Sequence, residues 1–117
     1  AFQKVCSGCP LLEDVNLSHC LKITDHDLKV MAQCCTRIRK LNVRDTRQVS
    51  DGGLVEVAKN CPSLEWLNTS RSEMPFKITD VGLLSVAENC PLLRHLEVQG
   101  CDCVTDVGLT WLGRGCR

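Results

Sequence analysis

Apolar residues recur along this chain in two alternating patterns, and the first one is helical. Large apolar residues stand seven and four positions before each of five cysteines, and a small residue stands three positions before it. Offsets of three, four and seven place residues on one face of a helix. The pattern therefore predicts a helix that ends at each of these cysteines, which are Cys9, Cys35, Cys61, Cys90 and Cys116.

The second pattern follows each cysteine and ends with a period of two. Its apolar pairs are Val15 and Leu17, Leu41 and Val43, Leu67 and Thr69, and Leu96 and Val98. A period of two predicts a short strand with one buried face. Strands that are separated by helices should pair in parallel. Thr69 is the one polar residue at an inward position of these pairs.

A Ser/Thr-Asp pair stands between each predicted strand and the next helix. The four pairs are Thr24-Asp25, Ser50-Asp51, Thr79-Asp80 and Thr105-Asp106. The hydroxyl oxygen is expected to cap the helix by accepting a free amide, and the carboxylate favours the positive end of the helix dipole. Because a helix start accounts for all four aspartates, we expect no catalytic role for them.

The two patterns together form a repeat. The five cysteines are separated by 26, 26, 29 and 26 residues. A fixed period in the twenties, split into a strand half and a helix half, is typical of a solenoid. We predict one domain over 1–117, with full repeats at 9–34, 35–60, 61–89 and 90–115 after a partial repeat at 1–8. Solenoids need polar caps, and neither end has one, so we expect a fragment of a longer array.

The pattern C-P-x-L-x-x-L-x-L…[IV]-[TS]-D-x-x-L-x-x-[VML]-A-x-x-C resembles the cysteine-containing leucine-rich repeat of F-box/leucine-rich-repeat proteins. Thr36 in place of the proline and three extra residues in the third repeat depart from it. The resemblance implies an α/β leucine-rich-repeat solenoid, with a curved parallel sheet on the concave side and helices on the convex side.

The resemblance also implies a function, which is substrate recognition within a Skp–cullin–F-box ubiquitin ligase. This chain carries no F-box, so a Skp-type adaptor would bind a segment that is absent here. The alternative is a freestanding leucine-rich-repeat scaffold or regulatory protein with no ligase link. Either way the expected partner is a protein or a peptide.

Composition narrows the partner class and the compartment. Fourteen basic and fourteen acidic residues cancel, so no global field favours nucleic acid or an anionic membrane. The longest apolar runs fall far short of the ~20 residues that span a bilayer, and no signal peptide opens the sequence. Ten cysteines would ordinarily indicate disulfides, but five of them share one repeat position. We therefore expect reduced, buried thiols and a cytoplasmic or nuclear protein.

Motifs that could carry chemistry are weak. Cys6-Ser7-Gly8-Cys9 has the spacing of zinc and thiol–disulfide sites, and a thiol or metal domain is the third hypothesis. The repeat register, however, places both cysteines in the core. Since no Ser or Cys lies in a nucleophile motif, we expect no enzyme, no cofactor and no metal.

The strand positions that alternate with the buried ones should face the concave side. These predicted binding residues are Asp14, Asn16, Ser18, Lys40, Asn42, Arg44, Trp66, Asn68, Ser70, His95, Glu97 and Gln99. Trp66 stands out because Trp is among the residues most enriched at binding hot spots, and Arg44 and His95 are its expected flanking contacts. The longer third repeat adds Met74 and Phe76 on the same rim, either beside Trp66 or as a plug of the sheet edge.

Overall fold

The structure is a computed structural model that describes residues 11–72, 78–100 and 105. Four strands of three residues alternate with three helices of ten residues. In chain order these are β1 (Asp14–Asn16), α1 (Asp25–Cys34), β2 (Lys40–Asn42), α2 (Asp51–Asn60), β3 (Trp66–Asn68), α3 (Asp80–Asn89) and β4 (His95–Glu97). The α/β class is confirmed, and each described helix begins at the predicted aspartate.

The strands form one parallel sheet in the order β1-β2-β3-β4. Their register is regular: Val15 pairs with Leu41, Leu41 with Leu67, and Leu67 with Leu96. Neighbours in sequence are therefore neighbours in space, as predicted for strands that are joined by helices. Each strand and the helix after it form one unit of the fold, and consecutive units stack side by side.

The core lies between the sheet and the helices. Leu41 and Leu67 from the strands and Leu54 from α2 are fully buried, and α2 packs against both α1 and α3. Thr69, the polar residue at an inward position, is also fully buried. Its hydroxyl donates a 3.4 Å hydrogen bond to the carbonyl of Glu97, which satisfies the polar atom and lets a threonine occupy an apolar position.

Three of the repeating cysteines, Cys35, Cys61 and Cys90, are completely buried. The Cys61 thiol lies 3.6 Å from the carbonyl oxygen of Cys35, and the Cys90 thiol lies 3.8 Å from that of Cys61. Burial, with a smaller contribution from Cys35, raises the pKa of Cys61 to about 12. The predicted stack of buried thiols is confirmed at these positions, whereas Cys9 and Cys116 lie outside the described residues.

The aspartate in the first turn of each helix bonds to the next unit. Asp25 accepts hydrogen bonds from the amide of Ser50 (2.7 Å) and from its hydroxyl. Asp51 binds Thr79 in the same way, with an amide distance of 2.8 Å. Asp80 likewise binds Thr105, also at 2.8 Å from the amide. We call these contacts the aspartate bridges. The first two join the helix starts of consecutive units, and the third joins the start of α3 to Thr105.

The bridges correct one prediction about capping. Ser50 makes no side-chain cap hydrogen bond, because its hydroxyl donates to Asp25 instead of accepting from its own helix. Thr79 does both, since its oxygen also accepts the amide of Val81 at 3.2 Å. Thr24 caps α1 as predicted, through a 3.4 Å bond from the amide of Asp27.

Glycine makes room for the bridges. A Cβ atom on Gly53 would lie 2.6 Å from a carboxylate oxygen of Asp25, and one on Gly82 would lie 2.5 Å from an oxygen of Asp51. In the first unit the equivalent residue is Asp27. Its carboxylate accepts from the amide of Thr24 (3.0 Å) and from its hydroxyl (3.2 Å). The amide and the hydroxyl of Thr24 are therefore bound by a carboxylate of their own unit. The equivalent donors of Ser50 and Thr79 are bound by a carboxylate of the preceding unit.

We therefore expect the two carboxylate positions to be interchangeable but mutually exclusive. Asp25→Ala should lower the free energy of unfolding by about 1–2 kcal/mol, because two partly buried donors of Ser50 lose their acceptor. Gly53→Asp alone should also destabilise, since its Cβ collides with the Asp25 carboxylate. Together the two substitutions should cost less than their sum by about 1 kcal/mol, as urea unfolding followed by circular dichroism would show.

The matched control is Gly52→Asp in the same Asp25→Ala background. Gly52 lies in the same helical turn, one position before the site that corresponds to Asp27. It should therefore add a charge without restoring stability. The claim that the two carboxylate positions are interchangeable would be refuted if Gly52→Asp restored stability as much as Gly53→Asp does. It would also be refuted if the effects of Asp25→Ala and Gly53→Asp on the free energy of unfolding were strictly additive.

Thiol reactivity tests the buried stack. A thiol whose pKa is raised to about 12 stays protonated and unreactive at pH 8. Iodoacetamide should therefore modify the exposed Cys20 of the native chain and leave Cys61 unmodified until urea is added, as peptide mass spectrometry would show. Native modification of Cys61 at the rate of Cys20 would contradict its burial.

Candidate functional site

The face of the sheet opposite the core carries mainly polar side chains, and we call it the polar face. In-register pairing arranges its residues in rows across the strands. The first row is Asp14, Lys40, Trp66 and His95. The second is Asn16, Asn42, Asn68 and Glu97. Ser18, Arg44, Ser70 and Gln99 follow the strands as a third row. Met74 and Phe76 lie outside the described residues.

Trp66 and His95 are stacked on the polar face. Their ring centroids are 5.4 Å apart and their planes differ by 2°. Trp66 is partly exposed, and Lys40 is its register neighbour on the other side. Arg44, the second expected flanking residue, belongs to the third row, and its Nε lies 3.4 Å from Asp45 Oδ2. The expectation for Arg44 is corrected: Lys40 and His95 are the residues that flank Trp66.

The asparagines of the second row have a structural role that sequence analysis missed. Each amide oxygen accepts a 3.0 Å hydrogen bond from the backbone amide two residues later: Asn16 from Ser18, Asn42 from Arg44, and Asn68 from Ser70. These bonds satisfy a backbone amide just after the end of β1, β2 and β3. The recurrence of Asn at one repeat position was the signal that could have revealed it.

Two of the predicted binding residues are largely covered. Asn68 is 6% exposed and Ser70 is 3% exposed. The Ser70 hydroxyl accepts the amide of Gln99 at 3.1 Å, so it joins the third unit to the fourth. These two positions therefore contribute less surface than the strand alternation alone predicts, and Trp66, Lys40 and His95 dominate this part of the polar face.

Alternating charges line the edge of the sheet where the strands begin. Arg39 Nε lies 2.5 Å from Glu65 Oε2, and its NH1 lies 3.4 Å from Glu13 Oε1. Arg94 NH1 lies 4.0 Å from Glu65 Oε1. Hydrogen bonding to Glu65 raises the pKa of Arg39, and hydrogen bonding to Arg39 lowers the pKa of Glu65. Sequence analysis missed this charge row, although acid and base alternate at equivalent positions.

Two shallow depressions flank Trp66. One has a volume of about 280 Å³ and is lined by Asp14, Val15, Asn16, Lys40, Asn42 and Trp66. The other has a volume of about 320 Å³ and is lined by Lys40, Glu65, Trp66, Arg94 and His95. The indole therefore stands between two hollows that can receive side chains of a partner, and Lys40 borders both.

A further depression of about 300 Å³ lies beyond the strand ends, lined by His19, Leu21, Asp45, Arg47 and Ser72. Asp45 accepts from the amide of Ser72 at 2.6 Å and from its hydroxyl at 3.0 Å. Partial burial opposes ionisation, but the bonds from Ser72 and from Arg44 outweigh it and lower the pKa of Asp45. The carboxylate thus joins the second unit to the segment that follows β3.

Arg71, which the sequence places at the start of the longer loop, is a buried structural residue with 4% exposure. Its guanidinium donates to the carbonyls of Val43 (2.8 Å), Thr69 (3.1 Å), Ser70 (3.2 Å) and Val49 (3.3 Å). These acceptors belong to two units, so Arg71 joins their loops. The equivalent residues His19, Asp45 and Gly100 have positive φ angles of 61°, 54° and 75°.

Within 11–72, 78–100 and 105, no group of three or more His, Cys, Asp or Glu residues is placed to hold a metal ion. Cys6 and Cys9 lie outside these ranges. None of the helices in the same ranges has the length and the apolar character that crossing a bilayer requires.

A family model described as Leucine Rich repeat matches residues 89–112. The matched segment begins at the last residue of α3 and contains β4. The chain therefore contains a leucine-rich repeat. Such motifs generally mediate protein–protein interactions and are typically non-catalytic.

The Asp45 contacts predict a pH-dependent contribution to stability. Asp45→Asn keeps a side chain that tolerates positive φ but removes the charge. At pH 7 it should lower the free energy of unfolding by about 1–2 kcal/mol. Because the folded pKa lies below the ordinary value of 3.8, the wild-type advantage should persist above that pH. It should disappear as the pH falls through the folded pKa.

Urea unfolding between pH 2.5 and pH 7 measures this difference. Asp14→Asn is the matched control, because the described structure gives Asp14 no ion pair or side-chain hydrogen bond, and it should change stability little. A stability difference for Asp45→Asn that stays constant across this pH range would contradict the assignment.

Proposed function

We propose that the chain is a leucine-rich-repeat solenoid whose polar face is concave and binds a protein or a peptide. The four repeats would be 9–34, 35–60, 61–89 and 90–115, with the helices on the convex side. The sequential parallel sheet, the constant register and the family match at 89–112 support this assignment. Arrays of this kind use the concave surface that their curvature creates to bind partners.

The observation that carries the proposal is the stacked pair of Trp66 and His95. A large aromatic that is only partly covered keeps apolar area in water, at roughly 25 cal/mol per Å². His95 fixes the orientation of the indole, so little side-chain entropy is lost when a partner covers it. A rigid aromatic between two hollows has the features of a binding hot spot.

For the biological role, we propose substrate recognition in a Skp–cullin–F-box ubiquitin ligase. The support is the resemblance of the cysteine frame to F-box/leucine-rich-repeat arrays. In this proposal the adaptor binds another segment of a longer protein, and the polar face binds the substrate. The stack of buried cysteines at one repeat position favours a reducing compartment, the cytoplasm or the nucleus.

Replacing Trp66 tests the binding function. Affinity purification of the full-length protein, read by quantitative mass spectrometry, should show at least one partner reduced tenfold or more by Trp66→Ala. Val81→Ala is the control, since Val81 is a 63% exposed apolar residue on α3, away from the polar face. Partner capture that is unchanged by Trp66→Ala in a folded protein would reject this surface.

The same experiment tests the ligase assignment. A Skp-type adaptor and a cullin should co-purify with the wild type and with Trp66→Ala alike, because they would bind elsewhere. If the Trp66-dependent partners are recovered but no adaptor or cullin is, the chain is a scaffold or regulatory repeat protein.

A further inference from the structure

We propose that the hollow lined by Lys40, Glu65, Trp66, Arg94 and His95 selects an acidic side chain of the partner. The carboxylate would lie between Lys40 and Arg94, above the stacked rings. This inference rests on the proposed protein-binding function of the polar face. It adds the chemical class of the bound segment, which is a peptide that carries Asp or Glu beside an apolar residue.

The charges of this hollow favour an anion. Lys40 forms no ion pair with any residue that the structure describes, and Arg94, with a 77% exposed side chain, approaches Glu65 only at 4.0 Å. Glu65 is the one acidic residue in the lining, and Arg39 holds it at 2.5 Å. Arg39 also pairs with Glu13 at 3.4 Å, and Lys40 and Arg94 act on Glu65 as well and help to lower its pKa. The lining of the hollow therefore carries two cations against one carboxylate. Two exposed cations remain available to a ligand.

The strand register places these cations on both sides of Trp66. Lys40 lies on β2, Trp66 on β3, and Arg94 directly precedes β4. Two strand spacings separate the outer strands by about 10 Å. Both cationic side chains are long enough to approach one carboxylate above the indole, and a guanidinium can bind it through two parallel hydrogen bonds. The apolar residue next to the acidic residue of the bound peptide would then cover the indole of Trp66.

A basic partner fits this hollow less well. The carboxylate of this hollow, Glu65, is bound by Arg39, and Lys40 and Arg94 would both repel a second cation from it. Asp14 and Glu97 are the other acids of the polar face. Asp14 lies on β1, two strands from Trp66, and Glu97 Oε2 lies 3.8 Å from His95 Nε2. Neither Asp14 nor Glu97 lines this hollow, whose lining holds two cations and one acid.

The experiment selects a random 12-residue peptide library on the purified chain, with Trp66→Ala as the counter-selection target. Enriched peptides should carry Asp or Glu next to an apolar residue. A synthetic enriched peptide should bind Lys40→Gln or Arg94→Gln at least tenfold more weakly than wild type, and binding should weaken as salt rises. Lys29→Gln, which removes an exposed charge from α1, should leave binding unchanged.

A matched peptide identifies the contact. Replacing its acidic residue by Asn or Gln should weaken binding to the wild type about tenfold but should cause little further loss in the Lys40→Gln, Arg94→Gln double variant. A short single-stranded oligonucleotide serves as competitor. If it displaces the peptide at equal concentration, the site is a general anion site and the peptide assignment falls.

The outcomes separate this inference from the function on which it rests. Peptides that need Trp66 but lack acidic residues, or that ignore Lys40→Gln and Arg94→Gln, would overturn the acidic assignment and leave the binding surface in place. If no enriched peptide depends on Trp66 while the protein is folded, the proposed peptide-binding function fails together with the inference.

Discussion

Each unit of this fold is fixed to the next by a carboxylate at the start of its helix. The strands have only three residues each, so the sheet offers few hydrogen bonds with which to set the register. The bridge from Asp25 to Ser50, and that from Asp51 to Thr79, each supply two hydrogen bonds between units at the helix starts. The bridges also account for Gly53 and Gly82, because a side chain at either position would occupy the space of the Asp25 or the Asp51 carboxylate.

The constant register determines what the polar face can display. Residues at equivalent positions become lateral neighbours, so one substitution changes one place in a row without disturbing the core. Trp66 and His95 meet because position 66 on β3 pairs with position 95 on β4. The asparagine row is less free to vary, since each amide oxygen already satisfies a backbone amide. Specificity is therefore expected in the first row, where Asp14, Lys40, Trp66 and His95 differ from one another.

The periodic part of the fold could be predicted from sequence, and the contacts between units could not. Offsets of three, four and seven located the helices, and the period of two located the strands, because both are properties of one short segment. The hydroxyl of Ser50 donates to a carboxylate 25 residues earlier, which a local capping rule does not include. The burial of Asn68 and Ser70 and the pairing of Arg44 with Asp45 also depend on the folded arrangement. The alternation of Glu13, Arg39, Glu65 and Arg94 was visible, but only when equivalent positions were compared.

The third unit departs most from the common frame, and its departures are connected. Its sequence is three residues longer, and at the position where other units have a residue with positive φ it has Arg71. The buried guanidinium binds carbonyls of both the second and the third unit, so it holds together the loops beside the extension. Ser72, the next residue, is bound by Asp45. These contacts anchor the segment after β3, the strand that carries Trp66. Anchoring this end restricts the motion of β3, so less conformational freedom is lost when a partner covers the partly exposed Trp66.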